Sequence, residues 1–272
     1  FNGVVLVAQN NRILYRKAFG WKNYKAKEKL TLNTRFELAS VSKQFTAIGI
    51  LLLKEKGLLQ YNDVVQKFFP NFPYQGITIK SLLSHRSGLP NYIYFCGPYC
   101  TRPYDSVITN MNVIDLMIQY KPEIYSLPDK RFYYNNTNYV ILAAIIEKVS
   151  GKNFSLFMKE NIFEPLEMKN TYIKDKSDFT YKQDEAIGYD ASFRFYGFDM
   201  YDGCNGDKGV CSTVEDMYRW DEMLHSEKLL SHSTLNEAFT PYSHEKKGKR
   251  NYGFGFRLIT ENDTASVIYH NG

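Results

Sequence analysis

Ser40-Val41-Ser42-Lys43 sets a hydroxyl and an amine three residues apart. On a helix that spacing puts both on one face, about one turn from each other. A serine hydroxyl is a poor nucleophile until a base takes its proton, and a lysine amine can do so only when burial or nearby cations lower its pKa. The helix that opens at Ser40 can supply the burial, because Phe45, Ile48, Leu51 and Leu52 make it apolar on several sides before Gly57 stops it. Its first N–H groups can also stabilise developing negative charge. Alone the motif is weak. At ordinary frequencies of about 6–7% each for Ser and Lys, a chain this long carries about one S-x-x-K by chance. Ser243-His244-Glu245-Lys246 is such a decoy, in a polar stretch with no buried helix behind it. The bland alternative for Ser40 is a helix cap.

Two more constellations carry chemistry. In Tyr134-Asn135-Asn136 a phenol can relay a proton near a lysine, and an amide can hold a substrate carbonyl or the lysine itself. Tyr133-x-Asn135 overlaps it and competes. In His270-Asn271-Gly272 a hydrogen-bonding residue ends the last strand, and the glycine lets a substrate approach the backbone. Taken singly, the first reads as a polar turn into a helix and the second as incidental.

The elements that must position these groups follow from periodicity. Residues 4–8 and 13–18 are apolar runs joined by Gln9-Asn10-Asn11-Arg12, which predicts a hairpin. Residues 34–38 are ambiguous. Helical patterns are expected from Ser40 to the stop at Gly57, and over 77–83, 106–120, 138–149, 154–162 and 213–226, the last capped by Thr213. Strands return over 252–260 and 265–270. The ends are β-rich and the middle α-rich, so we expect a sheet domain from residues 1–56 and 206–272 with a helical domain, 57–205, inserted between its halves.

Composition removes several function classes. The 44% apolar and 23% charged fractions argue against disorder. The apolar run near the start, 45–53, is far below the ~20 residues that span a bilayer. The net charge of +5 is scattered. The densest basic cluster, 244–250, reads as a solvated loop, and no nucleic-acid motif accompanies it. The 22 Tyr and 19 Phe must serve largely as core and half-buried surface. There is no G-x-S-x-G elbow, P-loop, dinucleotide fingerprint or H-E-x-x-H, which argues against those chemistries. Cys96 and Cys100 form one close pair, Cys204 and Cys211 another. The second is spaced too widely for the usual zinc pattern, so no metal and no cofactor is expected. Disulfides or plain thiols both remain open, according to compartment. No signal peptide opens the chain, which leaves a cytoplasmic protein or one whose export segment has been removed.

Read together, the order S-x-x-K, Y-x-N, [HK]-x-G resembles the serine β-lactamase and penicillin-binding-protein superfamily, and most closely its class C β-lactamase, D-aminopeptidase and esterase branch. Phe1-Asn2-Gly3-Val4-Val5-Leu6-Val7-Ala8 is similar to that branch's opening strand. Leu82-Leu83-Ser84-His85-Arg86-Ser87-Gly88-Leu89 matches its L-L-x-H-x-S-G-L segment, and Phe132-Tyr133-Tyr134-Asn135-Asn136 resembles its F-x-Y-S-N, which selects Tyr134 over Tyr133. Glu164-Pro165-Leu166-Glu167-Met168 and the segment 206–213 also fit. Pro128-Asp129 carries Asp where the family commonly has Gly.

The resemblance implies an α+β, β-lactamase/transpeptidase-like fold: an antiparallel sheet flanked by helices, plus the inserted helical domain. It implies a serine hydrolase that cleaves an amide or ester through an acyl-enzyme on Ser40. Lys43 and Tyr134 would share the proton transfers, Asn136 would orient substrate and Lys43, and His270 and Gly272 would line the substrate strand. His85 would be structural. The substrate class would be a D-amino-acid peptide, a β-lactam or a small ester, with peptidoglycan-derived peptides included. His270 in place of a lysine is a weaker carboxylate anchor, which favours a peptidase or esterase over a dedicated β-lactamase. The other reading is a penicillin- or peptidoglycan-sensing module that acylates without turnover. The expected location is the bacterial periplasm or cell envelope, with no nucleic-acid partner. In the family a second oxyanion N–H, further strands and a C-terminal helix follow the [HK]-x-G motif. A sheet domain ending at Gly272 is therefore expected to lack those parts.

Overall fold

The computed structural model describes residues 1–99, 107–174, 180–245, 249–261 and 264–272. The predicted hairpin is present as β1 (Gly3–Gln9) and β2 (Arg12–Phe19), antiparallel with Gly3 opposite Phe19 and Gln9 opposite Arg12. Asn10 and Asn11 form its two-residue turn with φ of 50° and 56°. Both central residues at positive φ match the twist of the flanking strands, and Asn tolerates that region. A small ribbon follows, β3 (Trp21–Asn23) with β4 (Glu28–Lys29). The ambiguous stretch 34–38 contains β5 (Phe36–Glu37).

A single 3-10 turn, Ala39–Val41, then leads into α1 (Ser42–Glu55). Every residue from Ser42 to Leu53 is buried, so α1 is central, as its all-round apolarity predicts. The helices α2 (Ile79–Leu83), α3 (Tyr92–Tyr99), α4 (Asn110–Tyr120), α5 (Asn136–Ser150) and α6 (Phe154–Met158) come next. The expected helix 106–120 starts at Asn110, capped by Thr109 in a reciprocal box with Asn112. Ser106 lies outside the described residues. α5 packs along α1 and is buried continuously from Thr137 to Ile146.

The rest of the chain supplies β6 (Tyr172–Ile173), β7 (Val210–Ser212), α7 (Val214–Leu224), α8 (His232–Ala238), β8 (Ser243–His244), β9 (Arg250–Tyr252), β10 (Arg257–Glu261) and β11 (Thr264–Tyr269). The last four form one antiparallel sheet in the order β11-β10-β9-β8, and β7 sits between β5 and β6 in another. The β6 strand falls inside the stretch read as a helical insertion, yet joins β5 through β7. Trp220 on α7 stacks on Phe45 of α1 with ring centroids 4.1 Å apart, and its Nε1 donates to Gln44 Oε1 at 2.9 Å. The indole is thus both packed and satisfied. Among the described residues, no helix is long and apolar enough to cross a membrane.

Candidate active site

The segment that carries Ser40 is held on both sides. Leu38 N–H donates to Val210 O at 2.8 Å, extending the pairing of β5 with β7. Ala39 then takes φ 44°, a conformation that a residue with a Cβ adopts only under constraint. The turn sets Ser40 just ahead of α1, at the positive end of its dipole, which favours negative charge. Lys43 Nζ donates to Ser40 Oγ at 3.0 Å and to the Asp207 carbonyl at 2.8 Å. Lys43 has no exposed surface. Burial lowers its pKa to about 8; the Asp207 charge opposes that and the Arg257 charge assists it.

Tyr134 lies beside this pair, with Lys43 Nζ 5.1 Å from its ring centre. Its hydroxyl is buried with no hydrogen bond of full geometry. Burial raises its pKa to about 12, against the opposing pull of the Ser40 hydroxyl and the Arg257 charge. The competitor Tyr133 is 39% exposed and packs on Tyr125 instead. Asn136 opens α5, and its Oδ1 is buried without a partner, an acceptor open to a substrate N–H. It does not hold Lys43 in the described hydrogen bonds; the Asp207 carbonyl does.

His270 directly follows β11, with its ring centre 6.2 Å from that of Tyr134. Both its nitrogens are engaged. Nδ1 lies 2.7 Å from Asn271 O, a pure acceptor, so Nδ1 carries the proton. In the neutral ring Nε2 then accepts from the Tyr252 hydroxyl at 3.1 Å. Burial pushes the His270 pKa down to about 4, helped by the Lys43 and Arg257 charges. Gly272 runs so close to the turn before Ser40 that a Cβ there would sit 2.4 Å from Leu38 O.

Three groups in the site have no local sequence signature. Asp207 is buried, and its Oδ2 accepts from the Tyr92 hydroxyl at 2.9 Å. Arg257, at the start of β10, holds its guanidinium 5.0 Å from the Tyr134 ring centre and pairs with Glu245. Tyr252 is fully buried under His270. The decoy Ser243 is buried and donates to Ser84 O at 2.9 Å, while Lys246 lies outside the described residues. Cys204 and Cys211 are separate buried thiols, so that pair forms no disulfide here; Cys100 lies outside the described residues.

The profile of the Beta-lactamase family matches residues 2–272. The chain belongs to that family. It is 37% identical to penicillin-binding protein 4* of Bacillus subtilis over its whole length, and spans 63% of that relative. It is 30% identical to the octameric penicillin-binding protein homologue of Pyrococcus abyssi, covering 94% of this chain and 60% of that one with a TM-score of 0.81. The penicillin-binding protein of Bacillus halodurans shares the fold at TM-score 0.86 and 24% identity, covering 99% and 83% of the two chains. The resemblance read from the motifs, and the β-lactamase/transpeptidase-like fold it implied, are therefore borne out.

In this β-lactamase-family site two predictions of opposite sign follow from the charges around Lys43. Asp207→Asn removes a negative neighbour, so the Lys43 pKa falls and the acid limb of any pH–rate profile moves to lower pH. Arg257→Met removes a positive neighbour and moves it to higher pH. Profiles of acylation rate check both, and shifts of the same sign would contradict the assignment. A third concerns Gly206, at φ 98°, where a Cβ would meet Tyr139 O at 2.5 Å and the Ala143 methyl at 2.6 Å. Gly206 O also accepts from Thr46 Oγ1 at 2.7 Å. Gly206→Ala is expected to destabilise by about 3 kcal/mol, from left-handed strain and overpacking together. By pushing the neighbouring Asp207 carbonyl off Lys43, it should also slow acylation. Denaturant melts and acylation rates check the two effects.

Proposed function

We propose that the protein is a serine hydrolase that opens an amide or ester through an acyl-enzyme on Ser40. What carries the reading is Lys43: wholly buried, 3.0 Å from Ser40 Oγ, with a pKa of about 8. As a neutral amine it takes the Ser40 proton while Oγ bonds to the substrate carbonyl carbon. The oxyanion forms at the N-terminus of α1. Tyr134, protonated at neutral pH, gives its proton to the leaving nitrogen or oxygen as the acyl bond breaks, and Lys43 returns a proton to it. Water then attacks the acyl carbon and the same groups carry its proton back to Ser40. Asn136 Oδ1 receives a substrate N–H, and the segment 270–272 flanks the substrate beside Leu38.

The substrate reading is a D-amino-acid peptide, peptidoglycan-derived strands included, or a small ester, ahead of a β-lactam. His270 is neutral with both nitrogens engaged, so it supplies no cation to a substrate carboxylate. The name of the Bacillus subtilis relative, a penicillin-binding protein, supports location at the bacterial cell envelope.

The test is intact mass after exposure to a penicillin and, separately, to a fluorophosphonate. The wild type should gain one adduct and Ser40→Ala none. A penicillin adduct that decays within minutes supports a hydrolase; where it persists, turnover of an amide or ester substrate by the wild type and not by Ser40→Ala supports the hydrolase, and no turnover assigns the protein to the sensing class. No adduct with either reagent on folded protein overturns the acyl-enzyme.

A further inference from the structure

His85 is buried completely, at φ 56°, two residues beyond the end of α2. It holds the Tyr134 segment in three ways. Its carbonyl accepts the Tyr133 N–H at 2.8 Å. Its Nδ1 accepts the Asn135 N–H at 3.2 Å and lies 3.1 Å from Asn138 Nδ2. Its ring centre is 4.4 Å from that of Tyr134. One residue thus holds the N–H groups of the residues before and after Tyr134 and packs on the phenol itself. The remainder of the loop locks the same segment: Asn135 Nδ2 donates to Leu89 O at 2.5 Å, and Ser87 Oγ donates to Asn138 Oδ1 at 2.6 Å.

We propose that His85 is the positioning residue for Tyr134, acting as a neutral imidazole whose Nδ1 and carbonyl clamp the backbone on either side of the phenol. The proposal rests on the proton role given to Tyr134. A backbone N–H is an obligate donor, so Nδ1 is the unprotonated nitrogen and Nε2 carries the hydrogen. Nε2 is buried with no partner. Its surroundings are aromatic, with the rings of Tyr139 and Tyr252 centred 5.1 and 4.7 Å away. Lys43, His270 and Arg257 are the charged or titratable groups that, with burial, hold the ring neutral. A cationic His85 would lose its acceptor, release the Asn135 N–H and place a charge among these rings. With Nδ1 committed to the Asn135 N–H, His85 does not serve as a base through that nitrogen.

A purely structural role would lower stability without regard to Tyr134. A positioning role makes the effect depend on the phenol, which a double-mutant cycle reads directly. The variants are His85→Leu, His85→Asn, Tyr134→Phe and the combination of His85→Leu with Tyr134→Phe, each checked for folding by thermal melt. Asn tolerates the positive φ, and its Oδ1 can replace Nδ1 as acceptor.

Penicillin acylation is resolved into a noncovalent binding constant and a first-order acylation rate. We expect His85→Leu to slow acylation about 30-fold with binding within about threefold, His85→Asn to recover most of the rate, and His85→Leu to have less than about a threefold effect once Tyr134 is Phe. Equal His85→Leu losses in both backgrounds overturn the positioning role while leaving the Tyr134 reading intact. Full activity of Tyr134→Phe overturns the Tyr134 reading, and the proposal with it. If His85→Leu fails to fold, His85→Asn and imidazole nitrogen resonances of the wild type decide. An Nε2–H tautomer at neutral pH with an active His85→Asn supports the clamp, and an Nδ1–H tautomer or an imidazolium overturns it.

Discussion

Lys43→Met should leave Ser40 nearly inert, with acylation slowed about 10³- to 10⁴-fold, the upper part of the range for a positioned general base. The pH dependence of the wild type follows from the same residue. Only the neutral amine can take the Ser40 proton. With a pKa of about 8, ~10% of Lys43 is neutral at pH 7, whereas an unshifted lysine would be ~0.03% neutral. The rate should therefore climb about tenfold per pH unit below about 8 and level off above it. His270 titrates near 4 and Tyr134 near 12, so neither adds a limb between pH 6 and 10. A profile still rising at pH 10, or a Lys43→Met variant within tenfold of the wild type, would remove lysine as the base. Methionine is the apt replacement because it fills the buried stem without introducing a charge.

The parts of this site that could be read in the sequence are local in the chain. Ser40 and Lys43 are three residues apart on one helix, and the apolar residues after them announce that the helix is central. Tyr134 and Asn136 straddle the cap of α5, whose N-cap side chain, Asn135, accepts from Thr137 N–H. The acceptor that orients Lys43 could not be read this way, because it is the backbone carbonyl of Asp207, and a carbonyl has no signature in sequence. Arg257 is as remote from Tyr134 in the chain, and only the pairing of β10 with β9 and β11 brings it over the ring. The α3 helix was hidden by Gly97 and Pro98, both poor helix residues, and is held by tertiary packing of Tyr92, Phe95 and Cys96. The β5, β6 and β7 strands, two or three residues each, are too short to show a period of two. The α8 helix did leave a signal, Ser231 capping Thr234 N–H, which a systematic search for caps would have found.

Tyr134→Phe should separate the two halves of the proton path. Burial keeps the phenol protonated at neutral pH, with ~10⁻⁵ ionised for a pKa of about 12. As a base for Ser40 it would be almost always in the wrong form, while as a donor it is almost always ready. The donor role matters most when the leaving group is poor. An amine must be protonated as it departs; a nitrophenolate need not be. Tyr134→Phe is therefore expected to slow acylation by amide or β-lactam substrates about 10²- to 10³-fold, and by an activated nitrophenyl ester less than about tenfold. Rates with a matched amide and ester of the same acyl group check this, since the acyl-enzyme they form is identical. Equal losses on both would mean that Tyr134 serves Ser40 rather than the leaving group, and would transfer part of the base role away from Lys43. The leaving-group dependence also distinguishes lost chemistry from lost folding, because a collapsed site would treat the two substrates alike.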